Sequence, residues 1–279
     1  MRVLPSLAIF GAVAVYLLLP MLAVLLYSLA TRWTAHILPD GYTLGHWRES
    51  LGDARIAGAF VRSIALAATV VGLDLVLVVP AAYWARVRNP RIRTVVELAA
   101  AIPFALPYVV IAFGILQLTG EIAPFIQGTP LLLAFGHAAI AFPFLYWAVD
   151  AAMAATGIER LSEAAQACGA SPLQIIRRVV LPNITPGLIA GGILVFGVSF
   201  NEFALAQILS GAAFETVPLW SADALVQTEG RFNALAVVTF ATFLVLFALS
   251  AAAVYVGRRQ TFLLPGVSAV ARARGRAES

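Results

Sequence analysis

The sequence predicts an all-α membrane protein: a polytopic bundle of about six transmembrane helices with one ordered helical loop on the cytoplasmic side. Three observations carry this. Of the 279 residues, 61% are hydrophobic and 11% charged, with a mean hydropathy of +0.92, whereas soluble domains carry about a quarter of their residues as charges. The apolar residues gather in runs of about 20, the length that crosses a bilayer at 1.5 Å per residue. The stretch between 152 and 185 is neither apolar enough to cross nor polar enough to lack order.

The apolar runs place spans at about 7–30, 60–82, 96–118, 130–152, 185–208 and 233–256. The first, LAIFGAVAVYLLLPMLAVLLYSLA, is longer than a signal-peptide core and has no small-residue cleavage ending, so it is read as a retained span. Arginine sets the orientation. Thirteen Arg (2, 86, 88, 91, 93, 160, 177, 178, 258, 259, 272, 274, 276) fall in one set of connections and five (32, 48, 55, 62, 231) in the other, which puts both termini in the cytoplasm. Trp33, Trp47 and Trp220 fall on the opposite side, as expected near an interface. Segment 31–59 is too polar to span and is read as short interfacial helices, and the basic tail 257–279 as a solvated terminus that contacts anionic lipid or a partner.

Composition also excludes functions. All 18 basic residues are Arg, so neither a nucleotide-binding P-loop Lys nor a Schiff-base Lys is present. The single Cys168 precludes an intramolecular disulfide, and His36, His46 and His137 offer no metal spacing. HExxH and GxSxG are absent.

Within ERLSEAAQAC, Leu161, Ala164, Ala165 and Cys168 fall at i, i+3, i+4 and i+7, one face of a helix. Gly169 suits the left-handed position past its end. Ser171, Pro172 and Gln174 then read as N-cap, first helical residue and capping-box partner of a second helix. That helix presents Leu173, Ile176 and Val180 on one side, carries Arg177 and Arg178, and is expected to stop at Pro182. Two capped helices held between spans are suited to docking and to conveying a rigid displacement.

The string EAAQACGASPLQIIRRVVLP resembles the EAA loop of ABC importer permeases, whose pattern is EAA, three residues, Gly, nine residues, Ile, one residue, Leu-Pro. Glu163, Ala164, Ala165, Gly169, Leu181 and Pro182 fit in register, with Val179 at the Ile position. The resemblance extends over about 60–245 and includes PAAYWAR and the proline-interrupted IPFALPYVV. It implies a non-enzymatic permease domain over 1–279, with core 60–256, coupling loop 158–183 and cytoplasmic tail 257–279. Residues 158–183 would form a coupling helix seated in a groove of an ATP-binding subunit, with Glu163 making polar contacts there and Arg177 alongside. It further implies a dimer of ATPase subunits that bind the ATP and Mg, no cofactor in this chain, a second permease subunit, a periplasmic solute-binding protein, and a bacterial inner-membrane location. Two readings of the loop compete: a purely structural interhelical loop with no partner, which the register of the match opposes, and a DNA-binding helix-turn-helix, which confinement between two spans opposes along with any nucleic-acid partner.

Polar residues within spans are candidates for the pathway. Asp74 lies deep in the second span, with a helix-packing hydrogen bond as its alternative role. Ser199, Asn201 and Glu202 follow the glycine pair Gly187 and Gly191 in the fifth span, where SFNEF resembles the polyamine, aminoethylphosphonate and ferric-ion branch of these permeases. Glu202 has a helix-packing carboxylate as its alternative, His137 is read as a packed histidine, and Tyr108 after Pro107 as lining the path. Asp150 and Glu97, near cytoplasmic span ends, are expected to be solvated. Polyamine is the favoured solute, ahead of aminoethylphosphonate, ferric ion, other small anions or sugars. An ion-coupled secondary transporter using Asp74 or Glu202 is the remoter alternative, and it leaves the EAA-like string unexplained.

Overall fold

The computed structural model describes residues 3–33, 36–226 and 231–262. Its helices are α1 (Val3–Leu29), α2 (Gly45–Gly52), α3 (Ala54–Tyr83), α4 (Pro90–Ala105), α5 (Tyr108–Ile122), α6 (Pro130–Thr156), α7 (Ile158–Ala167), α8 (Pro172–Ile175), α9 (Leu181–Asn201), α10 (Ala204–Leu209), α11 (Val217–Val226) and α12 (Phe232–Phe262). Among the described residues the only bridge of β type is the isolated pair Ala30 and Tyr42. Among the described residues five helical stretches are long and apolar enough to span, and the total is six if the bent pair α4 and α5 crosses as one span.

That bent pair covers the third span expected over 96–118, and its bend falls at the proline interruption in IPFALPYVV. The two helices meet at 110°. Leu106 precedes Pro107, whose ring disfavours the helical region for its neighbour, and Leu106 lies extended at φ −114°, ψ 138°. Elsewhere proline sits inside continuing helix, at Pro20, Pro80, Pro143 and Pro186. The fifth span likewise shifts, ending at Asn201 instead of 208 because Glu202 is extended at φ −73°, ψ 126°.

The chain divides into two compact units, 1–62 with 215–246 and 63–214 with 247–279. In the first, α1 packs against little within its own chain, with Phe10 and Tyr16 each about four-fifths exposed (81% and 78%). Its C-terminal carbonyls are capped by the Asn233 amide, which donates to Tyr27 and Ala30 at 3.0 and 2.9 Å. Among the described residues of the expected interfacial segment only one short helix, α2, forms before α3 begins at Ala54. Arg55 pairs with Glu215 and Asp223, both at 2.6 Å, tying the start of α3 to α11 and its approach. Trp220, expected at an interface, is instead buried.

In the second unit the core is the seam between α6 and α9. Gly187 and Gly191 let the two backbones approach closely: a Cβ on Gly187 would lie 2.7 Å from the Ala148 carbonyl oxygen, and one on Gly191 2.7 Å from Leu145 Cδ1. In a membrane, where lipid is as apolar as the side chains, such close packing supplies much of the association energy. α12 continues to Phe262, past the expected end at 256, and the rest of the tail, 263–279, lies outside the described residues.

The seam gives a direct test. Gly187→Val should destabilise the detergent-solubilised protein by about 1–3 kcal/mol. Gly197→Ala on the same helix, with nothing within 4 Å of the added Cβ, should be neutral or stabilise by up to about 1 kcal/mol. Thermal unfolding of both variants checks the contrast.

Candidate functional site

The loop between α6 and α9 is ordered throughout. Gly157, in the left-handed region at φ 60°, turns the end of α6 directly into α7. At the other end of α7, Gly169 at φ 82° allows its own N–H to reach Gln166 O (2.9 Å) and that of Ala170 to reach Ala165 O (3.1 Å). These two bonds satisfy carbonyls that a helix end otherwise leaves open. The capping box forms as expected: Gln174 N–H donates to Ser171 Oγ at 3.4 Å, and Ser171 N–H to Gln174 Oε1 at 2.8 Å.

One expectation for this loop is corrected, the stop at Pro182, and the apolar face of α7 takes a definite place. The face of Leu161, Ala164, Ala165 and Cys168 is turned mostly outward, with Ala165 half-buried and the other three exposed. Ile158 and Ser162 fasten α7 to the chain instead. Pro182 does not stop the second helix. A single π turn, Ile176–Val180, bridges α8 to α9, so that helix runs from Pro172 to Asn201. The wider turn accommodates the missing proline N–H: Leu181 N–H reaches back five residues to Ile176 O. The Asn183 side chain also donates to Val179 O at 2.7 Å. The extra residue moves the buried stripe to Ile175, Val180 and Ile184, leaving Leu173 exposed and Ile176 half-buried. Glu163, Ala164, Arg177 and Pro182 are exposed, and Leu181 is half-buried.

A salt-bridge cluster anchors this loop. Arg86, in a second π turn (Trp84–Arg88), grips Asp150 of α6 with two bonds of 2.8 Å and Glu159 of α7 with one of 2.9 Å. Arg93 of α4 joins Asp150 at 3.3 Å and Glu97 at 2.8 Å. Asp150 and Glu97 are therefore paired rather than simply solvated, and the Asp150 side chain is only 15% exposed. Sequence reasoning missed this because Arg86 is remote from Asp150 in the chain; the only local signal was charge of opposite sign at two neighbouring span ends.

The intramembrane candidates separate into different places. Ser199 and Glu202 come together around His137: Ser199 Oγ lies 2.9 Å from His137 Nδ1, and a Glu202 carboxylate oxygen 3.4 Å from Nε2, all three buried. The Glu202 carboxylate accepts the N–H groups of Ala204 and Leu205 at 2.8 Å and of Ala206 at 3.2 Å, so it caps the start of α10. Asn201 is exposed and its amide donates to Gly197 O at 2.9 Å. Tyr108 is half-buried at the start of α5. Asp74 is 1% exposed and lines a separate cavity with Tyr146. Among the described residues no group of three or more His, Cys, Asp or Glu could hold a metal.

Residues 78–262 match the family described as binding-protein-dependent transport system inner membrane component. The chain belongs to this family. This importer permease is 26% identical over 209 residues to the 2-aminoethylphosphonate transport system permease PhnV of Salmonella typhi, covering 74% of this chain and 77% of that one. It is 29% identical over 215 residues to the putrescine permease PotI of Escherichia coli K12, covering 73% and 74%. The spermidine/putrescine permease PotC of Haemophilus influenzae is 30% identical over 147 residues, 52% of this chain and 55% of that one. The fold resembles that of a bacterial ABC transporter involved in alginate import (TM-score 0.68, 18% identity, 89% of this chain and 94% of that one). It also resembles the inward-facing methionine transporter MetNI (TM-score 0.58, 18% identity, 75% and 99%). The permease is thus a bacterial inner-membrane component of an ABC importer for a small solute. Its family is not enzymatic; ATP hydrolysis belongs to a separate subunit.

Two measurements probe the anchor of the permease. Asp150→Ala leaves the largely buried Arg86 with Glu159 as its remaining carboxylate and should cost up to about 3 kcal/mol in thermal unfolding, whereas the same change in an Arg86→Met background should cost less. Burial acts to raise the Glu159 carboxyl, but the Arg86 hydrogen bond, a backbone bond and the Arg86 charge outweigh it and hold it below the usual glutamate range. That stabilisation is present above the unfolded-state value of about 4.3 and fades as pH falls through the lowered folded-state value. Glu159→Gln should accordingly lower stability at neutral pH, converge with the parent protein in acid, and so flatten the acid limb of a stability-against-pH curve.

Proposed function

We propose that this permease forms half of the translocation pathway for a small solute bearing a primary amine, a polyamine such as putrescine or spermidine foremost. It pairs with a second, like or identical permease subunit, takes solute from a periplasmic binding protein, and keeps both termini in the cytoplasm. Segment 158–183 docks on a dimer of ATP-binding subunits, which hold the ATP and Mg. The observation that carries the docking role is the division of the loop's residues. Ile158, Ser162, Ile175 and Val180 are buried against the chain, while Leu161, Glu163, Ala164, Leu173 and Arg177 face away from it. An apolar surface edged by Glu163 and by exposed arginines, on an anchored helix pair, suits a groove in a rigid partner.

The amine reading rests on the relatives. The permeases named for 2-aminoethylphosphonate and for putrescine or spermidine share, in those named solutes, a primary ammonium on a short aliphatic chain. Aminoethylphosphonate itself is the second reading, favoured by the length of the PhnV match. Tyr108, Ser199, Asn201, Glu202 and Asp74 are the candidates along the pathway. Ser199 and Glu202 contribute by shaping the start of α10, since both side chains turn onto His137.

The complete importer, reconstituted in proteoliposomes with ATP inside, should accumulate labelled putrescine and be outcompeted by spermidine. Uptake of labelled 2-aminoethylphosphonate with no putrescine uptake would select the second reading. Leu161→Asp with Leu173→Asp should weaken co-purification of the ATPase subunit by about tenfold or more while leaving the permease monodisperse. Retention of the ATPase at wild-type level would overturn the docking role.

A further inference from the structure

Asp74 on α3 and Tyr146 on α6 line one cavity of about 360 Å³ in the second compact unit. Both side chains belong to residues only 1% exposed, yet Asp74 Oδ2 and Tyr146 Oη have no hydrogen-bond partner among the described residues. The remaining wall is apolar: Val78 follows Asp74 by one helical turn, Val96 comes from α4, and Phe135 and Ala138 from α6. Phe135 is 47% exposed, which places it on the rim.

The other acids among the described residues of this unit are accounted for differently. Glu97, Asp150 and Glu159 are bound by Arg86 or Arg93, and Glu202 by three backbone N–H groups. Glu121 and Glu163 are exposed to solvent. A carboxyl group at bilayer depth is costly unless something donates to it or neutralises it. A fitting ligand has N–H donors, positive charge and an apolar remainder. A primary ammonium has three donors, enough for the Asp74 carboxylate and the Tyr146 oxygen together, and its methylene chain would lie against Val78, Val96 and Ala138. An anionic head is disfavoured here, because the nearby cations Arg86 and Arg93 are already bound by Asp150, Glu97 and Glu159. The volume lies within the range of small-molecule sites, about 300–1,000 Å³.

We infer that the Asp74 and Tyr146 cavity is a binding site for a primary ammonium on an unbranched aliphatic chain. This rests on the amine reading of the solute and sharpens it, since the site serves an alkylamine and has nothing for a phosphonate. The probe is labelled pentylamine, bound to the full chain within the assembled importer in nanodiscs. Asp74→Asn should weaken its binding by about tenfold or more and Tyr146→Phe by about threefold. Ala138→Leu, which narrows the cavity without touching either polar group, should also weaken it and keeps the test alive if Asp74→Asn fails to fold. Pentanol and 2-aminoethylphosphonate should compete poorly. Wild-type pentylamine affinity in a folded Asp74→Asn importer, or equal competition by pentanol, overturns the inference. Putrescine uptake is read separately. If uptake persists while pentylamine ignores Asp74, this site is wrong and the amine reading stands. If pentylamine binds through Asp74 but the importer carries only a solute without an amine, the amine reading fails and the site stands.

Discussion

The bidentate grip of Arg86 on Asp150 is the contact on which the cytoplasm-facing architecture expected from the arginine pattern depends. One guanidinium holds α6, α7 and the π turn after α3 together, and Arg93 brings in α4 through the same carboxylate. At 10% and 15% side-chain exposure the pair is shielded enough for its geometry to matter more than its net energy, since a buried ion pair is worth little over apolar packing but is costly to break. Its value is positional. Arg suits the role because its planar fork meets both carboxylate oxygens at once and still reaches Glu159.

The anchored loop depends on this grip. With α7 tied through Glu159 and its buried residues, and α8 continuous with α9, the exposed surface at Leu161, Glu163 and Leu173 is carried on fixed supports at both ends. The two π turns, at 84–88 and 176–180, stand at the junctions where a span passes into this layer. Each adds one residue to a turn, rotating the chain beyond it relative to the helix before it. In the first this brings Arg86 onto Asp150; in the second it moves the buried stripe onto Ile175 and lets Pro182 remain within helix.

What the sequence made legible was what local rules determine. Gly169, Ser171, Pro172 and Gln174 act through neighbours within five residues, so the turn and cap could be read before any tertiary structure. The Gly187 and Gly191 seam was legible for the same reason, as spacing on one helix. Pro182 misled because a proline's effect depends on whether the preceding turn can widen. Asp150 and Glu202 were beyond sequence reasoning in another way. Each meets a group whose approach is fixed only by packing, Arg86 for one and His137 for the other. The bonds of Glu202 to the first N–H groups of α10 are local, and were hidden because residue 202 was expected to lie within a continuing span. Asp74 was legible as an anomaly, while the cavity it shares with Tyr146 required α3 and α6 to be placed side by side.

The close seam between α6 and α9 has a mechanical meaning when set beside its two ends. Asp150 fixes α6 near the loop, and thirteen residues away, about 20 Å along the axis, His137 is bonded to Ser199 of α9. Between them the backbones approach closely at Gly187 and Gly191, which pack against Ala148, Ala152 and Leu145. The pair is therefore a stiff strut rather than two springs. A push on α7 and α8 arrives at the His137 and Glu202 end as displacement instead of being absorbed on the way.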